Sequence, residues 1–297
     1  MKPEYYVKTG LNKVVTKVYV LLQEFFTPSL IVHACIYFNW GRIMSRNWGD
    51  DINYHFLKRV TRKNIIPYDQ SVLANRRHKT CYMCIGSTIT FNHVDETIVW
   101  GAGVIDPNNP LKHKPAKVLA VRGPLTRNYL LENGVECPEI YGDPALLIPL
   151  IYTPKVTKRY KLGIIPHYDD YDNPFLAHLK NDESILFIKM EGYKKWTDIL
   201  DQIVSCDYIV SSSLHGLIMS EAYGIPNLWA EISGNLMGGH FKFHDFFMSI
   251  GVDRDNPYIL KNDTTKEELL ETKSAYRVGH IDLSKLVQTA PFKLYYD

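Results

Sequence analysis

Apolar runs of strand length alternate with helical patterns along most of the chain. The runs predict strands at 30–38, 64–68, 80–85, 97–100 and 117–121, and then at 162–166, 184–189, 207–211 and 226–230. Helices are predicted near 51–60, 124–133, 194–205 and 214–223. Short buried strands that alternate with helices are typical of parallel sheets, whose connecting loops gather at the carboxyl ends of the strands.

The alternation stops once, in the polar and proline-containing segment at 153–161. We interpret this segment as a linker between an N-terminal Rossmann-like domain (1–152) and a C-terminal one (162–275), with a last helix within 276–297 that packs back across both. The predicted fold class is α/β, with two Rossmann-like parallel-sheet domains facing a cleft, as in GT-B-like glycosyltransferases. Ligands of such sheets bind beyond the carboxyl ends of the strands, so the cleft is the expected site. The sequence itself shows no internal repeat.

Residues 14–26 carry apolar side chains at helical spacing and predict an amphipathic helix. Charged residues interrupt the run, so it does not predict a membrane span. Packing on the domain's own sheet is the first interpretation. Because lysines surround the segment, a peripheral membrane contact is the alternative. These lysines are Lys8, Lys13 and Lys17.

Composition narrows the class without naming a function. Of 297 residues, 45% are hydrophobic, and 34 basic residues face 32 acidic ones. That excludes a disordered chain and gives no reason to expect a nucleic-acid partner. Five cysteines and the lack of a leader pattern at the start predict a reducing, cytoplasmic location. Cys81 and Cys84 are predicted on opposite faces of a strand, which argues against a metal or redox pair.

The most informative segment is DYIVSSSLHGLIMSEAYGIP at 207–226. Ser211, Ser212 and Ser213 follow a predicted strand, and a helix begins directly after them. Such a turn can present free backbone N–H groups and the positive end of the helix dipole to an anion. His215 would lie beside the anion and could transfer a proton, while Gly216 would leave room for a ligand. A capping serine run followed by a buried histidine is the alternative, and the local sequence favours neither.

A second segment, RNWGDDIN at 46–53, places Asp50 and Asp51 at a predicted helix start. One of the two carboxylates is expected to cap the helix, and the other to point into the cleft as a general base. Trp48 could stack on a sugar ring, although a tryptophan in a loop is more often a packing residue.

Three further segments contribute candidates at predicted strand ends. Arg122 follows a strand and could bind a carboxylate or phosphate, with a salt bridge as the alternative. The glycine loop WGAGV at 100–104 indicates a close backbone approach. His167 ends the first strand of the second domain, and the acidic residues after it lack the spacing of a metal site. No metal ligand set is predicted.

Several motifs occur in a fixed order between about residues 39 and 230: N-W-G-D-D, W-G-A-G, V-R-G-P-L-T-R, Y-G-D-P-A-L, P-H-Y, and S-S-L-H-G-L-I followed by A-Y-G-I-P. Together they resemble the polysaccharide pyruvyl transferase family. The resemblance implies a two-domain glycosyltransferase-like fold and phosphoenolpyruvate as the donor. It also implies a reaction that sets pyruvate as a ketal across two hydroxyls of a glycan sugar.

The resemblance also implies roles for residues. His215 matches the functional histidine of the family, and Arg122 and His167 match positions near the donor, beside the serines at 211–213 and Gly216. Some members carry an arginine two residues before the histidine, where this chain has Ser213. The cation for the donor must therefore come from elsewhere, and Arg122 is the expected source, with Arg127 and Lys189 as the alternatives.

The remaining expectations concern partners. The acceptor, a hexose such as galactose in a polysaccharide or a lipid-linked precursor, is expected against the first domain at Asn47, Trp48 and Trp100. Phosphoenolpyruvate is a co-substrate, and no metal or cofactor is expected. Residues 14–26 would bring the enzyme to the inner face of the plasma membrane. A nucleotide-sugar glycosyltransferase and a non-catalytic glycan- or anion-binding module remain the alternatives.

Overall fold

Two five-stranded parallel sheets with flanking helices form the framework of the protein. The computed structural model describes residues 10–39, 42–74, 79–234 and 236–296. The strands are β1 (Ser29–Val32), β2 (Phe38–Asn39), β3 (Arg42–Ile43), β4 (Asn64–Pro67), β5 (Cys81–Met83), β6 (Thr97–Trp100), β7 (Lys117–Ala120), β8 (Leu162–Ile165), β9 (Ile185–Phe187), β10 (Ile209–Ser211), β11 (Asn227–Glu231) and β12 (Tyr258–Ile259). The α-helices are α1 (Gly10–Phe26), α2 (Trp48–Thr61), α3 (Pro124–Glu132), α4 (Trp196–Val204), α5 (Leu214–Ala222), α6 (Phe241–Ser249), α7 (Lys266–Glu271) and α8 (Ser284–Gln288).

Both sheets have the same strand order. The first runs β4-β1-β5-β6-β7 and the second β9-β8-β10-β11-β12, so in each sheet the first strand lies between the second and the third. Strand order therefore reverses between β1 and β5 and again between β8 and β10, and these reversal points are where doubly wound sheets bind ligands. The α/β class and the pair of Rossmann-like sheets are confirmed. The shared order also reveals a structural duplication that the sequence does not display as a repeat.

The first predicted strand, 30–38, is too long. β1 ends at Val32, and residues 33–37 leave the sheet and run along its carboxyl edge. The sequence stays apolar there because Ile36 is buried at 3% exposure within the loop. The apolar run continues past Val32, so its length does not show where β1 ends.

The two halves share one hydrophobic core. A single cluster contains Val32 and Trp48 from the first half together with Ile165 and Leu217 from the second. The indole N–H of Trp48 donates to the carbonyl of Trp196 at 2.7 Å, which ties the start of α2 to α4. Apolar packing between the two halves therefore fixes how the two sheets are placed relative to each other.

The C-terminal segment lies against the first half. Leu286 of α8 is fully buried, and its carbonyl accepts a hydrogen bond from the indole N–H of Trp100 at 2.8 Å. The backbone N–H of Tyr295 donates to the carbonyl of Val60 at 2.7 Å. The C-terminal segment thus contacts β6 and α2 of the first half.

Helix α1 has one packed face and one exposed face. Val20 is fully buried against Ile66 of β4, and Lys17 Nζ donates to the backbone carbonyl of Asp69 at 2.8 Å. The exposed face carries an apolar stripe. Its members are Val14, Val18, Leu22, Phe25 and Phe26. Lys8 lies outside the described residues, and among those described no helix combines the length and apolar character needed to cross a bilayer.

Candidate active site

Two helix N-termini meet where the carboxyl edges of the sheets face each other. Asn47 caps α2 by accepting a hydrogen bond from the N–H of Gly49 at 3.1 Å. The imidazole of His215, in the first turn of α5, lies against Gly49: an added Cβ there would come within 2.7 Å of the ring carbon Cγ. His215 therefore lies at the junction of the two halves, and only a glycine at position 49 permits this contact.

The predicted serine run forms the turn into α5. Ser212 Oγ accepts a hydrogen bond from the N–H of His167 at 2.8 Å, linking the ends of β8 and β10 across the reversal point of the second sheet. Ser211 Oγ accepts from the N–H of Ser213 at 3.0 Å. Among the described residues, Ser213 makes no side-chain cap to α5. Uncapped N–H groups at such an end favour an anion.

A glycine is needed at position 216 for packing, and not to leave room for a ligand. A Cβ at this position would lie 3.1 Å from the side chain of Ile165 and still closer to Ser211 Oγ. Gly216 is buried, and it lets α5 pack against β8 and β10. The expectation that it leaves space for a ligand is wrong, because neighbouring side chains already fill that space.

The environment of the His215 imidazole is enclosed and cationic. Burial and the positive charges of Arg122 and Lys242 lower the pKa of His215 to about 3. Its Nε2 is enclosed and has no hydrogen-bond partner among the described residues. The imidazole is therefore neutral at physiological pH, and this nitrogen keeps an unused hydrogen-bonding capacity.

Asp50 and Asp51 occupy the first turn of α2 with different partners. Asp50 Oδ2 accepts a hydrogen bond from Asn47 Nδ2 at 2.7 Å, and burial together with the charge of Asp51 raises the pKa of Asp50 to about 7. Asp51 Oδ2 accepts from the hydroxyl of Tyr193 at 2.8 Å, and burial raises its pKa to about 6. Neither carboxylate is the N-cap, a role taken by Asn47. Asp50 can gain or lose a proton near neutral pH, as a general base requires.

Arg122 is fully buried, with each guanidinium nitrogen already engaged. Nε donates to Asp245 Oδ2 at 2.9 Å, one terminal nitrogen donates to Ser87 Oγ, and the other to the carbonyl of Val104 at 2.8 Å. The glycine loop permits this, because a Cβ on Gly103 would lie within 2.7 Å of the guanidinium. Direct donor binding by Arg122 would require it to exchange partners. In the observed arrangement Arg122 acts at a distance: its positive charge lowers the pKa of His215.

Lys242 is the cation that the sequence analysis missed. It lies on α6, its side chain is 9% exposed, and among the described residues it forms no ion pair. Burial and the charge of Arg122 lower the pKa of Lys242 to about 8. Its charge acts on Asp50, His167 and His215 at once. We use the name cationic pocket for the cluster formed by Lys242, His215 and the first turn of α5.

The signal that could have revealed Lys242 is a polar face on a buried helix. Lys242, Asp245 and Ser249 recur at spacings of three and four along α6, and all three are buried. A polar stripe on an otherwise aromatic helix predicts buried partners. For Asp245 these are Arg122 and Thr126 of the first half.

His167 lies on the rim of the cationic pocket. Its pKa is lowered by burial and by the charge of Lys242, and its Nδ1 is 3.5 Å from Asp169 Oδ2. Its backbone N–H donates to Ser212 Oγ, so the segment after β8 lies beside the turn that leads into α5.

Trp48 and Trp100 lie inside the core. Both are 0% exposed, and both indole N–H groups donate to backbone carbonyls. A sugar ring cannot reach either face, so the packing interpretation describes them, and we do not retain them as acceptor-binding residues. Asn47 is occupied as the helix cap and as the donor to Asp50.

Most of the site residues lie in a segment that matches a known protein family. The sequence profile of the polysaccharide pyruvyl transferase family matches residues 36–233, which include every residue of the site except Lys242 and Asp245. An uncharacterized protein of Acanthamoeba polyphaga mimivirus is 27% identical over 215 residues, covering 70% of this chain and 72% of that protein.

A second relative is the succinoglycan biosynthesis protein ExoV of Rhizobium meliloti. It is 28% identical over 137 residues, which cover 46% of this chain and 41% of that protein. The family match extends over most of both sheets. The chain therefore belongs to the polysaccharide pyruvyl transferase family.

Proposed function

We propose that this protein transfers pyruvate from phosphoenolpyruvate to two hydroxyls of one sugar, forming a cyclic ketal during polysaccharide synthesis. The observation that carries the proposal is the cationic pocket: a nearly buried, unpaired Lys242 beside a neutral His215 and an uncapped helix start. Family membership gives the transferase class. The pocket supports a small, highly charged donor.

Donor binding follows from the charges. Phosphoenolpyruvate carries a phosphate and a carboxylate. Lys242 interacts with the charge of Asp50 but forms no direct ion pair among the described residues. An anion placed there also accepts hydrogen bonds from the N–H groups at the start of α5. We infer that Ser212, Ser213 and His167 border this anion and that Arg122 supports it through charge.

The ketal forms in two additions. Protonation of the donor's methylene makes its C2 electrophilic, and one sugar hydroxyl adds there while Asp50 accepts the hydroxyl proton. The C2–O bond to phosphate then breaks and phosphate leaves with the electron pair. The second hydroxyl adds to C2, and its proton is released. The product is the ketal, with phosphate as the by-product.

His215 is suited to the proton steps once the donor is bound. The charges of Arg122 and Lys242 keep it neutral in the free protein. A bound polyanion offsets those charges, so the pKa of the imidazole rises toward its ordinary value. His215 then protonates either the methylene or the departing phosphate. This scheme uses side chains as its only cations, so we expect EDTA to leave the rate unchanged.

We also propose a cytoplasmic enzyme that works at the inner face of the plasma membrane on a lipid-linked galactose-containing acceptor. The support is α1, whose outer face exposes Val18 by 51%, Leu22 by 52% and Phe25 by 55% while its inner face is anchored by Lys17. Flotation with anionic vesicles should recover the wild-type protein. Val18→Ser/Leu22→Ser should stay at the bottom of the gradient, and equal recovery of both would reject the contact.

The function is tested by incubating the protein with phosphoenolpyruvate and a galactoside. Released phosphate should match a product whose mass is that of the sugar plus one pyruvate less one water. His215→Ala should lose about 10²- to 10⁴-fold in rate, the usual contribution of a positioned acid–base group. Ser274→Ala, at an exposed site in the second half, is the control and should keep the wild-type rate. Near wild-type turnover by His215→Ala would reject the role of this residue.

The two alternatives give different results in the same experiment. A nucleotide-sugar glycosyltransferase would be stabilised against heat by UDP or GDP and not by phosphoenolpyruvate. A non-catalytic module would bind phosphoenolpyruvate without releasing phosphate. Stabilisation by phosphoenolpyruvate together with phosphate release supports pyruvyl transfer.

A further inference from the structure

A second pocket lies in the first half, at the carboxyl edge of its sheet. Its volume is about 380 Å³, within the range of roughly 300–1,000 Å³ typical of small-molecule sites. Its walls are residues 33–37 after β1, 68–70 after β4, and Phe91 and His93 beyond β5. It therefore flanks the point between β1 and β5 where strand order reverses. We call it the aromatic cavity.

Flat rings form much of its wall. The imidazole of His33 is stacked on Tyr68, with centroids 5.8 Å apart and an interplanar angle of 27°. His93 lies 5.4 Å from His33, and Phe91 and Tyr37 complete the aromatic part. Rings with polar edges combine an apolar face with hydrogen-bonding groups. This combination suits a sugar, whose ring has apolar C–H faces and hydroxyl edges.

Polar groups interrupt the aromatic wall at a few positions. Asp69 offers an exposed carboxylate, and Gln70 offers an amide that donates to Asp69 Oδ2 at 2.6 Å. Nδ1 of His33 is buried without a hydrogen-bond partner among the described residues. Burial and the neighbouring His93 lower the pKa of His33 to about 4, so the ring is neutral and can donate or accept. The hydroxyl groups of a ligand can bond to the Asp69 carboxylate and the Gln70 amide.

Charge distinguishes this cavity from the cationic pocket. None of its described lining residues is a lysine or arginine, and Asp69 is a carboxylate. Two cations contact lining residues without lining the cavity: Lys17 Nζ donates to the backbone carbonyl of Asp69 at 2.8 Å, and the Arg46 guanidinium lies 4.1 Å from the centroid of the Tyr37 ring. Inside the cavity the charged group is the Asp69 carboxylate, which repels a polyanion such as phosphoenolpyruvate. A neutral, hydroxyl-rich molecule is not repelled by this carboxylate.

Asp50 connects the two sites. Burial raises the pKa of the Cys35 thiol in the cavity wall, and the charges of Asp50 and Asp69 raise it further. Burial and the charge of Asp169 raise the pKa of Tyr168, and Asp50, Tyr37 and Cys35 add to that rise. Lys242 of the cationic pocket acts on the same Asp50 carboxyl group. The proposed base therefore lies within electrostatic range of both the cavity wall and the cationic pocket.

We propose that the aromatic cavity binds the sugar ring that accepts pyruvate, with its reacting pair of hydroxyls directed toward Asp50. The inference rests on the proposed function, because it assigns the acceptor of that reaction. The donor then occupies the cationic pocket and the acceptor the aromatic cavity, with Asp50 between them. Tyr68 and Asp69 are binding residues in this arrangement.

The test is binding of simple glycosides, measured by saturation-transfer NMR. The probes are the methyl pyranosides of glucose, galactose, mannose and N-acetylglucosamine. The wild-type protein should bind at least one of them, and Tyr68→Leu should weaken it about five- to tenfold, the effect of losing one aromatic contact. Asp69→Asn should weaken it as well. Tyr258→Leu, a partly buried tyrosine on β12 of the other sheet, is the control and should bind like the wild type.

A chemical label provides an independent measurement. Cys35 is exposed, whereas the other four cysteines are buried. Saturating glycoside should slow alkylation of Cys35 by iodoacetamide at alkaline pH, and phosphoenolpyruvate should not. The proposal is overturned if none of the probes binds, if both cavity variants bind as tightly as wild type, or if the glycoside leaves the labelling rate unchanged.

Thermal shifts with phosphoenolpyruvate keep the two proposals separate. Tyr68→Leu and Asp69→Asn should retain the wild-type shift, which shows that they are folded and that the cationic pocket is intact. A wild-type protein without such a shift would count against the proposed donor, while glycoside binding would still decide the role of the cavity.

Discussion

The imidazole of His215 rests on the backbone of Gly49, so a residue of the second half depends on a missing side chain in the first. A Cβ at position 49 would approach the ring atoms Cγ and Cε1 to 2.7 and 2.9 Å. Real side chains do not tolerate such distances without movement. The glycine of the N-W-G-D-D motif is thus explained by contact with the histidine of the S-S-L-H-G motif.

Gly49→Ala should displace His215 and lower kcat about 10²-fold, the scale of an error of about 1 Å in the placement of a reacting group. Gly279→Ala is the matched control, since its new methyl group would meet Ile250 at 2.9 Å, away from both sites. It should reduce Tm and leave kcat unchanged. Kinetics and melting curves of both variants check this, and a fully active Gly49→Ala enzyme would contradict the assigned position of His215.

The dependence of kcat/KM on pH should be bell-shaped with a narrow maximum. Asp50, with its pKa near 7, must be ionised to act as a base, so activity falls as pH drops below about 7. Lys242, with its pKa near 8, must be protonated to bind the donor, so activity also falls as pH rises above about 8. Lys242→Arg should keep the lower limb and remove the upper one, because a guanidinium stays charged. An upper limb that persists in Lys242→Arg would assign it to another group.

Asp50→Asn should abolish turnover and raise stability. Burial raises the pKa of Asp50 to about 7 in the folded protein, from 3.8 ordinarily. The wild type therefore loses stability as pH rises from about 4 to 7, since the folded state resists ionisation. The gain in Tm of the variant should grow over that interval and level off above it, reaching about 2–6 °C. Asp263→Asn, at an exposed position, is the control and should show no such growth; a gain that does not depend on pH would contradict the raised pKa.

The Arg122–Asp245 pair should be essential for stability. Both side chains are 0% exposed, and Asp245 also accepts hydrogen bonds from the N–H and hydroxyl of Thr126. Asp245→Ala leaves a buried, uncompensated guanidinium and should lower the free energy of unfolding by about 3–5 kcal/mol. Asp172→Ala removes an exposed partner of Lys180 at 3.8 Å and should cost less than about 1 kcal/mol. Urea unfolding measures both, and equal losses would contradict the account.

Much of the framework could be predicted because local patterns coincide with tertiary structure. Helix α2 was expected near 51–60 and spans Trp48–Thr61, and α5 was expected at 214–223 and spans Leu214–Ala222. The histidine and the two acidic residues of the predicted site lie at facing helix starts. These positions follow from where parallel strands end, which a sequence encodes well.

The remaining features depend on long-range contacts that no local pattern carries. Trp48 looks like a loop residue and is buried because α4 of the other half covers it. Arg122 looks like a free cation in the sequence. Its Nε in fact donates to Asp245, which lies 123 positions further along the chain. Lys242 lies on a helix of the second half, outside the motifs that carried the resemblance. The fold brings Lys242 close enough to Asp50, His167 and His215 to shift the pKa of each, and only this arrangement marks it as a site residue.

The most direct test of the central claim is a crystal soaked with phosphoenolpyruvate. The account predicts density for the phosphate or carboxylate within hydrogen-bond distance of Lys242 Nζ and the first-turn N–H groups of α5, with His215 Nε2 facing the enol carbon. Density for the ligand elsewhere, with Lys242 and His215 unaltered and untouched, would contradict it.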